Sequence, residues 1–146
     1  MILLSGSESW QINSTKVEVQ QEARKAGDWI KQELIQSGAS TITNVPANGT
    51  WYTTITFKTA IGTSGGSISW SANTIQYSIV AAGTGRRLVR TSGGTTRVLA
   101  VSMQSLQFRR QAATPNVVEV NLQARKLTPK GTTLTNNSNF KVKMRN

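Results

Sequence analysis

Residues able to do acid–base or nucleophilic chemistry are few in this chain and unevenly placed. It has no histidine, which removes the commonest general base and metal ligand. It has no cysteine, which excludes disulfides and thiolate metal sites. Of the six acidic residues, Glu8, Glu18, Glu22, Asp28 and Glu33 fall within the first 33 positions, and only Glu119 lies beyond them. Spacing alone does not exclude paired-carboxylate hydrolysis, but five acids on one helix read more simply as its wet face. Glu119 alternates with apolar neighbours along a strand and reads as a solvated residue among cations. Serine and lysine are both abundant, so a Ser–Lys dyad carries no weight. Hard cations need several oxygen ligands, and the acid-free loops offer only weak carbonyl sites. Neither a metal nor a cofactor is expected. Gly83-Thr84-Gly85-Arg86-Arg87 resembles a phosphate-cradling loop, but such loops join a strand to a helix. Here Ile75–Val80 precedes and Leu88-Val89-Arg90 follows, so the segment reads as a hairpin turn.

The positive charge is the stronger chemical signal. Residues 1–33 carry four basic groups against five acids, a net of −1, and residues 34–146 carry thirteen against one, a net of +12, which together make the +11 of the chain. Arg86, Arg87 and Arg90, with Arg97, cluster around two hairpins. Arg109-Arg110 and Arg125-Lys126 add two pairs, and Lys141, Lys143 and Arg145 line one face of the last strand. Such a surface concentrates polyanions and would bind nucleic acid with strong salt dependence. It would equally keep the chain soluble, guard strand edges or dock on acidic partner subunits. Nucleic acid is the weaker of these readings, because no RNA-recognition aromatic signature is present. Trp10, Trp29, Trp51 and Trp70 read as core or helix–sheet packing before they read as stacking platforms.

The elements that position these residues follow from periodicity. From Glu8 to Gln36 the pattern is helical, with Ile12, Val19, Ala23, Ala26, Ile30 and Leu34 on one stripe. Ser7 or Ser9 fits the start, and Gly38 fits a left-handed C′ position. Glu22–Lys25 and Asp28–Lys31 are spaced for i,i+3 pairs. The stripe narrows to small residues at Ala23, Ala26 and Gly27, so the helix can lie close on a sheet, buried through Ile12, Val19, Ala23, Ala26, Trp29, Ile30 and Leu34. After Gly38 the period becomes two: Trp51–Lys58, Ile75–Val80, Val118–Arg125 and Phe140–Arg145 each alternate apolar and polar residues. Ile68-Ser69-Trp70 and Arg86–Thr91 are further strands. Val98–Gln111 reads as one strand with an irregularity, and Lys130–Ser138 as a mobile polar loop. Glycine-rich turns separate the runs, which predicts an antiparallel meander. The expected fold is α+β: one domain over 1–146, with a helix over 1–38 on a twisted antiparallel sheet over 39–146. No apolar run reaches the ~18 residues needed to span a bilayer.

The helix from Val17 to Gly38, ending in Glu33-Leu34-Ile35-Gln36-Ser37-Gly38, resembles the carboxyl half of the long helix of type IV pilin-like proteins. It is most similar to the J-type minor pseudopilins of type II secretion and the W-type minor pilins. Thr54-Ile55-Thr56-Phe57, Ile75-Gln76-Tyr77-Ser78-Ile79, Arg87-Leu88-Val89-Arg90, Leu106-Gln107-Phe108 and Val117-Val118-Glu119-Val120-Asn121-Leu122 follow that family's strand order. The resemblance implies a pilin-like head on a helical rod in the cell envelope, without enzymatic activity. The whole protein would be held in the inner membrane by an apolar N-terminal helix not present here, with Met1-Ile2-Leu3-Leu4 at the junction. It implies a structural minor subunit at a filament tip, with minor and major pilins or pseudopilins as partners and secreted cargo as a further candidate. The acid-poor loops fit a minor subunit without the calcium loop of major pseudopilins. A DNA-binding minor pilin of an uptake system is the alternative, and an envelope hydrolase is a distant third.

Overall fold

The structure, a computed structural model, describes residues 2–83 and 85–145, with side chains from Ser9 onward. Met1, Thr84 of the glycine turn, and the side chains of Ile2-Leu3-Leu4, Ser7 and Glu8 lie outside the described residues. Helix α1 spans Ile2–Ile35, 34 residues, or about 51 Å at 1.5 Å per residue. It starts earlier than the apolar stripe suggested, because nothing before Glu8 breaks a helix except Gly6, which costs only about 1 kcal/mol.

The last turn tightens to i→i+3 bonds: Gln36 N donates to Glu33 O at 3.1 Å and Ser37 N to Leu34 O at 3.0 Å. The Ser37 hydroxyl donates to the same Leu34 carbonyl at 2.7 Å. Gly38 is not the expected left-handed cap, since its backbone is extended at φ −125° and ψ 144°. A glycine is required there for another reason: a Cβ would stand 2.3 Å from Cη2 of Trp70.

The head is not one twisted sheet. Strands β1 (Ile55–Phe57), β2 (Ala60–Ser64), β3 (Ser67–Trp70), β4 (Ile75–Ala82), β5 (Gly85–Ser92), β6 (Thr95–Ala100), β7 (Met103–Gln111), β8 (Thr114–Leu127) and β9 (Thr133–Lys143) form three sheets. Their orders are β1-β4-β5-β6, β2-β3 and β7-β8-β9, all antiparallel. This overturns the expected pilin-like single sheet, while an N-terminal helix followed by many strands remains an α+β arrangement. The division has a local cause. The run read as one strand over Val98–Gln111 breaks at Val101-Ser102, where Ser102 takes a positive φ of 58°. Ala100 pairs with Leu88 in one sheet, and Met103 pairs with Ala124 in another. β2 and β3 stand apart as a hairpin whose turn glycines, Gly65 and Gly66, both have the positive φ that a tight two-residue turn requires.

A second correction concerns Lys130–Ser138. It turns at Gly131 and then becomes β9, whose ladder with β8 runs from Leu127↔Thr133 to Val117↔Lys143. The polar side chains hid the strand, because the ladder bonds are backbone bonds and need no apolar residue.

Helix and sheets share one hydrophobic core. Val19, Ala23, Ala26, Ile30 and Leu34 of α1 are buried against residues such as Phe57, Tyr77, Phe108, Val120 and Val142. Trp29 is half-buried against this cluster. Ile12, expected on the packed stripe, is only half-buried and lies outside it; Thr15 is the first buried helix side chain among those described. Burial of Ile30 and Leu34 contributes about 2 kcal/mol each.

Candidate functional site

The acids of α1 divide: Glu18 and Asp28 are exposed, as a wet face requires, whereas Glu22 and Glu33 are half-buried and turned to the head. Glu33 follows Ile30 by three positions and Ala26 by seven, so it shares the docked side of the helix. Its Oε1 accepts from Trp29 Nε1 at 3.0 Å, from Arg90 Nε at 2.7 Å and from the Tyr77 hydroxyl, while Oε2 accepts from Arg90 Nη2 at 2.9 Å. Tyr77 and Arg90 face each other across β4 and β5. The Arg97 guanidinium covers the Trp29 ring at 5.0 Å. Burial pushes the Tyr77 phenol far above its ordinary range, and the hydrogen bond and charge of Glu33 push it further. The Glu33 hydrogen bond also raises the pKa of the Arg90 guanidinium. A carboxylate with four donors and a phenol held protonated make a structural clamp, poorly suited to proton transfer.

Two other helix acids reach the head. Glu22 accepts from the Val101 backbone N–H at 2.9 Å through one oxygen and from Lys25 Nζ at 3.2 Å through the other. That amide is the one stranded by the break between β6 and β7. Glu18 pairs with Lys126. No ion pair joins Asp28 to Lys31 among the described residues; Lys31 Nζ instead stands 4.6 Å over the Phe140 ring.

Glu119 also departs from its expected solvated state. It is 8% exposed and accepts from Arg109 Nη2 at 2.6 Å, with Arg109 and Lys141 as its register neighbours on β7 and β9. Arg109 stacks over Trp51 at 4.3 Å, and its Nε is buried without a partner. Arg110 is buried too, donating from Nε to Val45 O at 2.7 Å and from Nη1 to Pro115 O at 2.9 Å. Desolvation lowers its pKa. It staples the segment before β1 to the β7–β8 hairpin.

The ten cations grouped from the sequence as one polyanion surface therefore separate. Arg90, Arg109 and Arg110 are used inside the chain, and the physical reason is that strand register brings acids or carbonyls to them. Arg86, Arg87, Arg125 and Lys126 line a cleft of about 720 Å³ between the β4–β5 hairpin and the β7–β8 strands. Lys141, Lys143 and Arg145 are exposed along β9 and just past it. The aromatic reading also needs correction: Trp10 is 70% exposed.

Glu33, Tyr77 and Gln104 were missed as interacting residues; the Glu22–Lys25 pair was expected and is present, but the contact of Glu22 with the Val101 N–H was missed. Glu33 alone left a signal, an acid beside Leu34 and three residues past Ile30 on an otherwise apolar side. Among the described residues, no group of three or more His, Cys, Asp or Glu side chains is placed to hold a metal ion, and no helix is long and apolar enough to cross a membrane. Compared with known proteins, the chain matches no family model, no curated protein and no solved structure.

Proposed function

We propose that this chain is a structural subunit of a cell-envelope filament of the pilus or pseudopilus kind, acting through assembly, with other filament subunits as its partners. The observation that carries this reading is the overhang of α1. The helix runs through Ile2, and among the side chains described, from Ser9 onward, the first buried one is Thr15. Trp10 and Val17, two turns apart on one side, are exposed. A helix that presents a large aromatic beyond its own head has apolar surface to offer a neighbour. The resemblance of Val17–Gly38 to the long pilin helix supports the same reading. Head topology does not enter it, since the three sheets depart from the expected single one.

The DNA-binding alternative loses ground to the internal use of Arg90, Arg109 and Arg110. A photo-crosslinking amino acid at position 10, introduced into the chain in its own cells, tests the proposal. Expected are adducts to envelope proteins whose processed N-terminal helices mark them as filament subunits. Adducts confined to unrelated proteins, or none with the chain released as a monomer, would defeat it.

A further inference from the structure

The cleft between the two larger sheets has a lopsided lining. Among the described residues, Arg86, Arg87, Arg125 and Lys126 line it with no acid in the lining itself, and Glu18 and Glu22 reach only its margin. Among the described residues, Lys126 is the one of the four with an ion-pair partner, the exposed Glu18. Arg86 and Arg90 project from the same face of β5, four residues apart. Arg90 is bound at two points by Glu33. Arg86 reaches only one neutral acceptor, donating from Nη1 to Gln104 O at 3.1 Å. The side-chain oxygen of the same Gln104 lies 3.5 Å from Arg125 Nη1. Gln104 thus holds two guanidiniums toward one space, and most of their N–H groups stay available. Like charges held together over a concave, partly apolar floor focus the field and attract an anion. The fork of each arginine matches a carboxylate at two points.

The rest of the lining narrows the class of ligand. Val101 and Leu127 are exposed aliphatics in the same cleft. Among the described residues no aromatic lines it, so it offers nucleobases no stacking platform. A second copy of the chain is opposed by its net charge of +11, and the acids Glu18, Glu22, Glu33 and Glu119 are already engaged within the chain. We infer that this cleft is a docking site for an acidic segment of another protein, a short stretch in which Asp or Glu alternates with aliphatic residues. The carboxylates meet Arg86, Arg87 and Arg125, and the aliphatic side chains cover Val101 and Leu127. The chain itself shows the chemistry on a small scale, since Glu18 and Glu22 of α1 dock at the cleft margin on Lys126 and the Val101 N–H. This recognition stands whether or not the helix polymerises, so it can fail without the filament reading failing.

Fluorescence anisotropy with a labelled peptide alternating Glu with Val and Leu tests the site, at roughly 50 mM salt, where charges act over more than 10 Å. The controls are the same peptide with Gln for Glu and a single-stranded oligothymidylate of equal charge. Saturable binding of the acidic peptide alone is expected. Arg86→Glu and Arg125→Glu should each weaken it at least about tenfold, while Lys143→Glu on β9 leaves it within about twofold. Melting temperatures confirm that the variants fold. Should Arg86→Glu not fold, Arg87→Glu, exposed on β5 opposite Val80, replaces it. Amide shifts on titration should centre on Gln104 and Leu127. Absence of saturable binding overturns the proposal. So do equal losses in all variants, which would mean a diffuse basic surface, or tighter binding of the oligothymidylate lost in the cleft variants, which would make the cleft a nucleic-acid site.

Discussion

Glu33 and Arg90, 57 positions apart in the chain, meet through two parallel hydrogen bonds, Nε to Oε1 at 2.7 Å and Nη2 to Oε2 at 2.9 Å. A fork-to-carboxylate pair of this kind restricts rotation as well as separation. Its neighbours are Leu34 on the helix and Tyr77 across the strand pair, both fully buried. The pair therefore sets how α1 lies on the four-stranded sheet, while the apolar stripe supplies the attraction.

Glu33→Gln keeps the side chain's size and removes its charge. Arg90 and Tyr77 would then face a neutral amide in a largely dry site, and stability should fall by about 2 kcal/mol. Arg90→Met should cost a similar amount. The double variant should lose less than the two together, with a coupling of about 1–2 kcal/mol. Urea denaturation of the four chains measures this, and additive losses would show that the pair is uncoupled.

Tyr77 links the clamp to alkaline pH. Its folded pKa is raised, chiefly by burial, so the folded chain keeps a proton that the unfolded chain loses near pH ~10. Stability from this group is fully present below that pH and is lost as pH rises above it, with a slope approaching about 1.4 kcal/mol per unit. Tyr77→Phe should cost about 1 kcal/mol at neutral pH, the worth of the hydrogen bond to Glu33. It should also flatten the alkaline decline relative to the parent chain. Parallel declines in the two proteins would refute the link.

Two glycines should respond in opposite directions to alanine. At Gly27 a Cβ would sit 3.5 Å from Phe140 Cε1, an ordinary contact. Gly27→Ala should therefore stabilise by about 0.5–1 kcal/mol through helix propensity. At Gly38 the Cβ would collide with the Trp70 ring at 2.3 Å, and Gly38→Ala should destabilise by at least about 1–3 kcal/mol. Thermal melts of both variants decide the matter. A loss at Gly27 would mean that the helix waist is tighter than it looks.

The stranded amide of Val101 is protected by a side chain alone. Glu22→Ala should speed its hydrogen exchange, and Glu22→Gln, which keeps an acceptor oxygen, should largely preserve its protection. Amide exchange followed by NMR reads the site directly. Unchanged exchange in Glu22→Ala would show that this contact does not hold the break between β6 and β7.

Local sterics wrote much of the chain's organisation into the sequence. The 3.6-residue stripe through Val19, Ala23, Ala26, Ile30 and Leu34 marked the helix face, and two-residue alternation marked strands such as Ile75–Val80 and Val118–Arg125. Both periods arise from where a Cβ points in each backbone conformation, so neither needs knowledge of distant residues. The acidic helix and the basic remainder were equally legible as composition. What those charges do was not. Glu18, Glu22 and Glu33 carry the periodicity of any helix acid, and Arg90 and Arg109 that of any strand cation.

Only tertiary structure decided which of them meet, because a long-range pair depends on strand register and on where a sheet ends. Ser102, a serine in a left-handed conformation, divided an apparently continuous strand between two sheets. That division stranded the amide that Glu22 satisfies and opened the cleft beside Gln104. The polar run Thr133–Ser138, read as part of a loop, became strand because β8 offered it a ladder. The amino-acid order thus determined the elements and the imbalance of charge, while the third dimension determined which charges are spent inside the chain and which remain for a partner.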